Sequence, residues 1–153
     1  MKAMMKKMSL LFMTLCIVSM AFAITSCDKD KPVHFEQLPQ AARTFLMTHF
    51  PDIEMVYADK DWDGYEVLLS NGIELEFSSK GQWSKAETRQ ELIPESVLKL
   101  LPENLTNYIS QTYPDRNIKT IEKKRFGYEI ELRGLHDLEL KFDSNGQFLY
   151  IDD

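Results

Sequence analysis

The side chains with the clearest capacity for chemistry are glutamates spaced two residues apart. Glu74 and Glu76 form one such pair, and Glu129 and Glu131 form another. Residues two apart in a strand point to the same side of a sheet, so each pair could place an acid beside a base for proton transfer. A solvated sheet face explains the same spacing without catalysis, and we prefer that interpretation.

A second candidate is the acidic segment from Asp59 to Gly64, which has the acid spacing of the first half of a calcium-binding loop. The second half fails, because Ser70 stands where a bidentate glutamate is needed. The corresponding residues 122–127 are basic in character. We therefore interpret the segment as an acidic hairpin turn. Trp62 at its tip could be an exposed binding anchor, or it could pack back over the sheet.

The remaining reactive residue types lack the spacing of a site. His34, His49 and His136 lie far apart and show no metal-ligand pattern, so we expect no metal. The serines show no nucleophile elbow, there is no glycine-rich phosphate loop, and we expect no cofactor. The sequence thus predicts no catalytic residue, and we expect a protein that is not an enzyme.

The elements that carry these glutamates occur twice. Segments that combine proline, glycine and aromatic residues recur at a constant offset of 63 positions, which extends by two residues near the end of each copy. Chance similarity between two amphipathic segments is the alternative, but a constant offset across such residues argues for duplication. The matches are Leu38-Pro39 with Leu101-Pro102, Phe45 with Tyr108, Phe50-Pro51-Asp52 with Tyr113-Pro114-Asp115, Gly64-Tyr65-Glu66-Val67 with Gly127-Tyr128-Glu129-Ile130, Leu75-Glu76-Phe77 with Leu140-Lys141-Phe142, and Gly81-Gln82-Trp83 with Gly146-Gln147-Phe148.

Each copy is predicted to begin with a helix and continue with four strands. Apolar residues recur at helical spacing after Pro39 and again after Pro102, and the Phe50-Pro51 and Tyr113-Pro114 pairs end the helices. A short helical segment from Pro94 to Leu101 links the copies. The predicted strands are 53–60, 65–70, 73–78 and 82–88 in the first copy, and 117–124, 128–133, 137–142 and 147–152 in the second.

Alternation along the strands assigns two faces to the predicted sheet. Val67, Leu75 and their apolar neighbours point one way and should pack against the helices. The other face must be solvated, since burying several unpaired carboxylates would cost many kcal/mol. We predict an α+β fold in which the two copies share one roughly eight-stranded antiparallel sheet with the helices on one side. The opposite face carries Glu66, Leu68, Glu74, Glu76, Glu129, Glu131, Glu139 and Lys141.

The first residues resemble a bacterial lipoprotein signal. Lys2, Lys6 and Lys7 precede an apolar run, and Ile24-Thr25-Ser26-Cys27 follows it. An ordinary secretory signal or a short anchor is the alternative, but the run is short for a spanning helix. We predict a signal peptide over 1–26, lipidation at Cys27, a tether over 27–34, and repeats over 35–90 and 91–153.

The predicted mature chain is acidic. Without the three early lysines, 15 basic residues face 24 acidic ones, a net charge of −9 with histidine neutral. This charge argues against nucleic acid, and it leaves the lipid as the only predicted membrane contact. Acidic residues directly after Cys27 resemble those that accompany export to the outer face of the outer membrane in some Gram-negative lineages. We therefore expect a lipid-anchored protein of a Gram-negative envelope, on the periplasmic side or at the outer-membrane surface.

The ordered set of repeated motifs resembles the PepSY-like family of periplasmic and lipoprotein domains, also described as beta-lactamase-inhibitor-protein-like. The resemblance spans residues from about 35 to 153. It implies an α+β fold of two tandem subdomains, no established enzymatic activity, and protein binding on the open sheet face. PepSY domains proper are associated with peptidase propeptides and with restraint of proteases. No inhibitory residues can be carried over from either analogy.

Our leading hypothesis is an envelope lipoprotein that binds a basic protein or peptide through its acidic sheet face. The alternatives are an inhibitor of a secreted peptidase or another hydrolase, and a module that binds a small molecule or an ion. A deep apolar cleft would favour a small molecule. The residues predicted to contact the partner are Trp62, Glu66, Leu68, Glu74, Glu76, Glu129, Glu131 and Glu139.

Overall fold

The computed structural model describes residues 31–152, which form one antiparallel sheet and its helices. The predicted signal peptide and Cys27 lie outside the described residues. No helix between residues 31 and 152 is long and apolar enough to cross a bilayer. The strands are β1 (Lys31–Pro32), β2 (Met55–Lys60), β3 (Gly64–Leu69), β4 (Ile73–Ser78), β5 (Trp83–Thr88), β6 (Ile118–Lys123), β7 (Gly127–Leu132), β8 (Leu138–Asp143) and β9 (Phe148–Asp152). The helices are α1 (Gln40–His49), α2 (Glu95–Leu98) and α3 (Glu103–Thr112), and Phe35–Gln37 form a 3-10 turn.

The strands lie in the sheet in the same order as in the chain, each antiparallel to the next. The eight predicted strands are confirmed, with ends that differ by at most two residues. Strand β1 adds a ninth, because Lys31 and Pro32 pair with Lys60 and Asp59 on β2. The predicted tether therefore contributes a short edge strand and, at its end, leads into the 3-10 turn.

The two copies join through the pairing of β5 with β6. Lys85 lies opposite Glu122, Ala86 opposite Ile121, and Glu87 opposite Thr120. This junction confirms the prediction that one continuous sheet spans both copies, so each copy has one edge covered by the other. The first repeat is therefore α1 with β2–β5, and the second is α3 with β6–β9.

The apolar core lies on the face predicted to pack against the helices. Val67, Leu75, Ile130 and Leu140 are fully buried there, together with the helix residues that cover them. Each repeat adds an aromatic stack between its helix and its last strand. Phe45 stacks on Trp83 with ring centroids 5.3 Å apart, and Tyr108 stacks on Phe148 at 4.6 Å, positions that match in the two copies.

A glycine turn seats each helix against its sheet. Gly81 and Gly146 both have φ of +78°, which favours glycine over residues with a side chain. A Cβ at either position would lie 2.7 Å from the Cβ of the proline that precedes the helix, Pro39 or Pro102. The close approach of turn and helix therefore explains why both copies have glycine at this position.

Candidate functional site

The face away from the helices carries two rows of side chains that cross the whole sheet. Strand pairing aligns them residue by residue from β2 to β9, so that each side chain within a row lies beside the next one on the adjoining strand. The central row is Asp59, Glu66, Glu76, Lys85, Glu122, Glu129, Lys141 and Tyr150, and the second row is Tyr57, Leu68, Glu74, Glu87, Thr120, Glu131, Glu139 and Asp152. All predicted contact residues except Trp62 thus lie in these two rows.

The first repeat contributes the acidic half of this face, which we define as Asp59, Glu66, Glu74 and Glu76. Glu66 lies directly between Asp59 and Glu76 in the central row. It has no hydrogen bond or ion pair within residues 31–152. Although Glu66 is exposed, the limited desolvation of its carboxyl raises its pKa, and the charges of Asp59, Glu74 and Glu76 raise it further. The ionised form of Glu66 is therefore less stable here than in a freely solvated glutamate.

The acidic half is not uniformly free of cations. Lys85 Nζ lies 3.4 Å from Glu76 Oε1 and 3.0 Å from Glu87 Oε2, and Arg89 Nη2 lies 3.4 Å from Glu74 Oε1. These pairs sit on the side of β4 that faces β5. Glu66 lies one strand further away, so its carboxylate faces mainly others of the same sign.

The second repeat neutralises its own carboxylates. Lys141 Nζ lies 2.7 Å from Glu129 Oε1 and 3.2 Å from Asp152 Oδ2, and it also bonds Glu139. Only 6% of the Lys141 side chain is exposed. Burial alone would lower its pKa, but the three carboxylates outweigh that effect and raise it. We predicted a solvated lysine here, and its burial beneath its partners corrects that expectation.

Two further lysines complete the neutralisation of the second repeat. Lys119 Nζ lies 3.0 Å from Glu131 Oε1 and 2.7 Å from Asp137 Oδ2. Lys124 Nζ lies 3.2 Å from Glu129 Oε2. Although burial opposes it, the hydrogen bonds from Lys141 and Lys124 lower the pKa of Glu129. Glu66 and Glu129 occupy the same position in the two repeats, yet their pKa values move in opposite directions.

The acidic hairpin turn lies at one end of this face. Asp61 Oδ1 accepts hydrogen bonds from the backbone N–H of Gly64 at 2.8 Å and of Asp63 at 3.1 Å. These bonds lower the pKa of Asp61, the one from Gly64 most strongly. Asp61 is therefore used to hold the turn. Trp62 at its tip is 91% exposed, so within the described chain it does not pack back over the sheet.

Residues 31–152 contain no group of three or more histidine, cysteine, aspartate or glutamate side chains arranged to hold a metal ion. His49 lies against Phe45 with ring centroids 4.5 Å apart, and burial lowers its pKa. The paired glutamates Glu74 and Glu76 engage different cations, Arg89 and Lys85. Neither glutamate pair lies in a closed pocket that would shield proton transfer from water.

A separate apolar cavity of about 600 Å³ opens on the helix side of the second repeat. Leu98 of α2, Ile109 of α3, Tyr113 directly after α3, and Ile118 of β6 line it, with Arg116 among its polar residues. The corresponding cavity of the first repeat is about 310 Å³ and contains Met47 where the second repeat has Ser110. Neither cavity was predicted, because its size depends on how the helices pack against the sheet and not on the apolar periodicity of the sequence.

The difference between the two halves of the open face was not predicted from the sequence. The signal was present, since the repeat aligns Glu76 with Lys141 and Lys85 with Tyr150. These two exchanges decide where the lysines stand in the central row. The open face is therefore not uniformly acidic. Glu66 has no ion pair within residues 31–152, whereas Glu129, its counterpart, has two.

Comparisons with known proteins agree with this architecture. The family model described as "putative beta-lactamase-inhibitor-like, PepSY-like" matches residues 24–75 and 63–150. The two matches overlap and agree with a tandem repeat. No curated protein matches the chain.

Solved structures from Bacteroides species are similar over nearly their whole length. A "putative periplasmic protein" of the DUF2874 family from Bacteroides vulgatus shares 37% identity, covers 83% of this chain and 99% of its own, and has a TM-score of 0.72. A "putative calcium-regulated periplasmic protein" from Bacteroides thetaiotaomicron shares 32% identity over 82% and 98%, with a TM-score of 0.74. A third, from Bacteroides vulgatus, is described as a "putative periplasmic protein of unknown function". On the family match and these relatives, the chain belongs to the PepSY-like family.

Proposed function

We propose that this chain is a non-enzymatic, lipid-anchored envelope protein that binds a basic segment of a protein or peptide on the acidic half of its sheet. The observation that carries the proposal is the contrast between Glu66 and Glu129. The same position is neutralised by lysines in the second repeat, whereas Glu66 is surrounded by Asp59, Glu74 and Glu76. An ammonium or guanidinium group from a partner would pair with Glu66 as Lys141 pairs with Glu129 in the second repeat.

The envelope location is supported by the descriptions of the relatives as periplasmic and by the lipoprotein-like sequence before Cys27. A binding role rather than catalysis is supported by the openness of the face. Tyr57 and Leu68 lie beside the acidic half in the second row and offer apolar contact to the stems of lysine or arginine. Complementary charge would mainly speed encounter and select the partner.

The test is a fluorescence anisotropy titration with a labelled peptide of alternating lysine and threonine, which presents its cations on one side when extended. We expect binding that weakens as NaCl rises from low to high concentration, because screening acts on exposed charges. A control peptide of the same length, with glutamate in place of lysine, should not bind. Ca²⁺ is titrated in parallel, since one relative is described as calcium-regulated.

Two charge-reversal variants locate the binding surface. Glu66→Lys should abolish peptide binding, whereas Glu36→Lys makes the same charge change in the 3-10 turn and should leave it unaltered. Equal loss of peptide binding in both variants would mean that binding depends only on the net charge of the protein, which would also refute the proposal. Full binding by Glu66→Lys would place the peptide on another surface and refute the proposal.

A second candidate function, binding of a small apolar molecule, is favoured by the cavity of about 600 Å³ in the second repeat. Its volume lies in the range of ligand sites, about 300 to 1,000 Å³, and apolar side chains dominate its lining. Ser110→Met copies the residue of the smaller first cavity and should reduce binding of the dye 1-anilinonaphthalene-8-sulfonate. Unchanged dye binding in this variant would exclude the cavity as the site.

A further inference from the structure

The two edges of the sheet differ in how they are protected. On one side, β1 covers β2, and the backbone N–H of Val33 continues the contact by donating to the Ala58 carbonyl at 2.8 Å. Pro32 within β1 has no N–H with which to recruit another strand. On the other side, the outer edge of β9 has no partner strand in the part of the chain that the structure describes.

The exposed strand carries the larger apolar side chains. Leu149, Tyr150 and Ile151 are 48%, 52% and 40% exposed on β9. Their repeat counterparts on β5 are Ser84, Lys85 and Ala86, and that strand is covered by β6. Unpaired edges of natural sheets usually carry charges, prolines or bulges that discourage pairing. Strand β9 does have a bulge at Leu149, but β5 has the same bulge at Ser84 and is nevertheless paired with β6. Three consecutive large apolar residues on the free edge, with smaller or charged residues on the covered one, therefore indicate a strand that is itself covered.

We propose that β9 pairs with β9 of a second copy of this chain, antiparallel and related by a two-fold axis. The strand is self-complementary in this arrangement. With the axis at Tyr150, the two Tyr150 residues lie opposite each other, Leu149 at the bulge of each copy lies beside Ile151 of the other, and the two Asp152 carboxylates are kept apart. A second copy fits this edge because its β9 brings matching apolar residues and no like charge into register.

The chain already contains a junction of this kind. Strand β5, the counterpart of β9, pairs with β6 over three register positions and joins two units into one sheet. A two-fold axis perpendicular to the sheet would keep the helices of both copies on one side. The open faces would then form one surface with an acidic half at each end, a consequence that does not depend on the proposed peptide binding.

The small area that two paired β9 strands would bury predicts a weak dimer. A stable interface between two proteins buries about 800 Å² on each partner, more than two five-residue strands supply. Anchoring at a membrane surface would raise the local concentration of the chains and so favour pairing. The dimer is therefore best tested with the full-length chain in the envelope of the cell.

The experiment is disulfide trapping with Tyr150→Cys in the full-length chain. Once Cys16 is removed with the signal peptide and Cys27 is lipidated, this cysteine would be the only free thiol. Residues directly opposite in antiparallel strands have Cα atoms about 4.5 to 5.5 Å apart, which a disulfide can bridge. Leu135→Cys is the matched control, because Leu135 lies in the β7–β8 turn and is 96% exposed.

We expect a disulfide-linked dimer on a non-reducing gel for Tyr150→Cys and little for Leu135→Cys. Adding Leu149→Lys to Tyr150→Cys should reduce the dimer several-fold, because it places lysines opposite Ile151. Equal dimer from both cysteine positions would show that random collision forms it. No dimer from Tyr150→Cys, with the melting temperature of the reduced protein unchanged, would mean that a different partner or none covers β9. Either result overturns the proposal.

Discussion

Replacing Glu66 by lysine should stabilise the fold while it removes binding to a basic partner. Glu66 faces Asp59 and Glu76 on the adjoining strands, and Glu74 is the third charge that raises its pKa. It makes no ion pair within residues 31–152, so the substitution breaks none there. A lysine at this position would convert three repulsions into three attractions, opposed by the more distant Lys85.

The magnitude follows from the exposure of these groups. Each like-charge contact on a solvated face costs about 0.3 kcal/mol after screening, so removing three of them recovers about 1 kcal/mol. Reversing the charge should recover about 2 kcal/mol in total. For a domain of this size, we expect the melting temperature to rise by roughly 4 °C for Glu66→Gln and 8 °C for Glu66→Lys.

The assay is thermal unfolding followed by circular dichroism at low and high NaCl. High salt should roughly halve the gain, because the Debye length falls to about 3 Å at 1 M. Glu36→Lys is the charge-matched control and should change the melting temperature little. A Glu66→Lys protein that melts below wild type, with Glu36→Lys unaffected, would refute the electrostatic account of the acidic half.

Three further predictions concern pH, the buried lysine and the glycine turns. Because its pKa is raised, folded Glu66 holds a proton more tightly than the unfolded chain does, so this group favours folding as pH falls. The stability gain of Glu66→Gln should therefore shrink as melting curves are taken from pH 7 towards the raised pKa. A gain that grows as pH falls would contradict the upward direction of the Glu66 pKa shift. Lys141→Met should cost about 1 to 3 kcal/mol in urea unfolding, because it leaves the carboxylates around Lys141 without their shared cation; wild-type stability in this variant would show that the cluster contributes nothing. Gly81→Ala should cost about 1 to 3 kcal/mol through strain at positive φ and contact with Pro39, whereas Gly72→Ala, with the same φ sign and open space, should cost only about 1 kcal/mol. Equal losses at the two glycines would mean that the contact with Pro39 is harmless.

The order of the strands could be predicted because turn chemistry and alternation agree along the chain. Strand β4 has the predicted bounds, Ile73–Ser78, since Asn71-Gly72 sets the hairpin and Gly72 adopts φ of 79°. The first predicted strand began two residues early, at residue 53 instead of Met55. Strand β1 was missed, because two residues carry no periodicity and their pairing depends on the exposed edge of β2.

The faces of the sheet could be predicted, but the depth of each side chain could not. Alternation places Lys141 on the open face, yet it does not show that three carboxylates cover its ammonium group. Alternation also could not predict the difference between Glu66 and Glu129, because that difference depends on which carboxylates the lysines of neighbouring strands can reach. The cavity beside Ile118 depends on how α2 and α3 pack and could not be read from the sequence.

The most direct test of the central claim is a backbone amide NMR titration of the protein with the lysine–threonine peptide. We predict that chemical shifts change on β3 and β4, centred on Glu66, Leu68 and Glu76, and that those of β7 and β8 change little. Changes centred on Glu129 and Lys141 of the second repeat, or on α1 and α3, would contradict it.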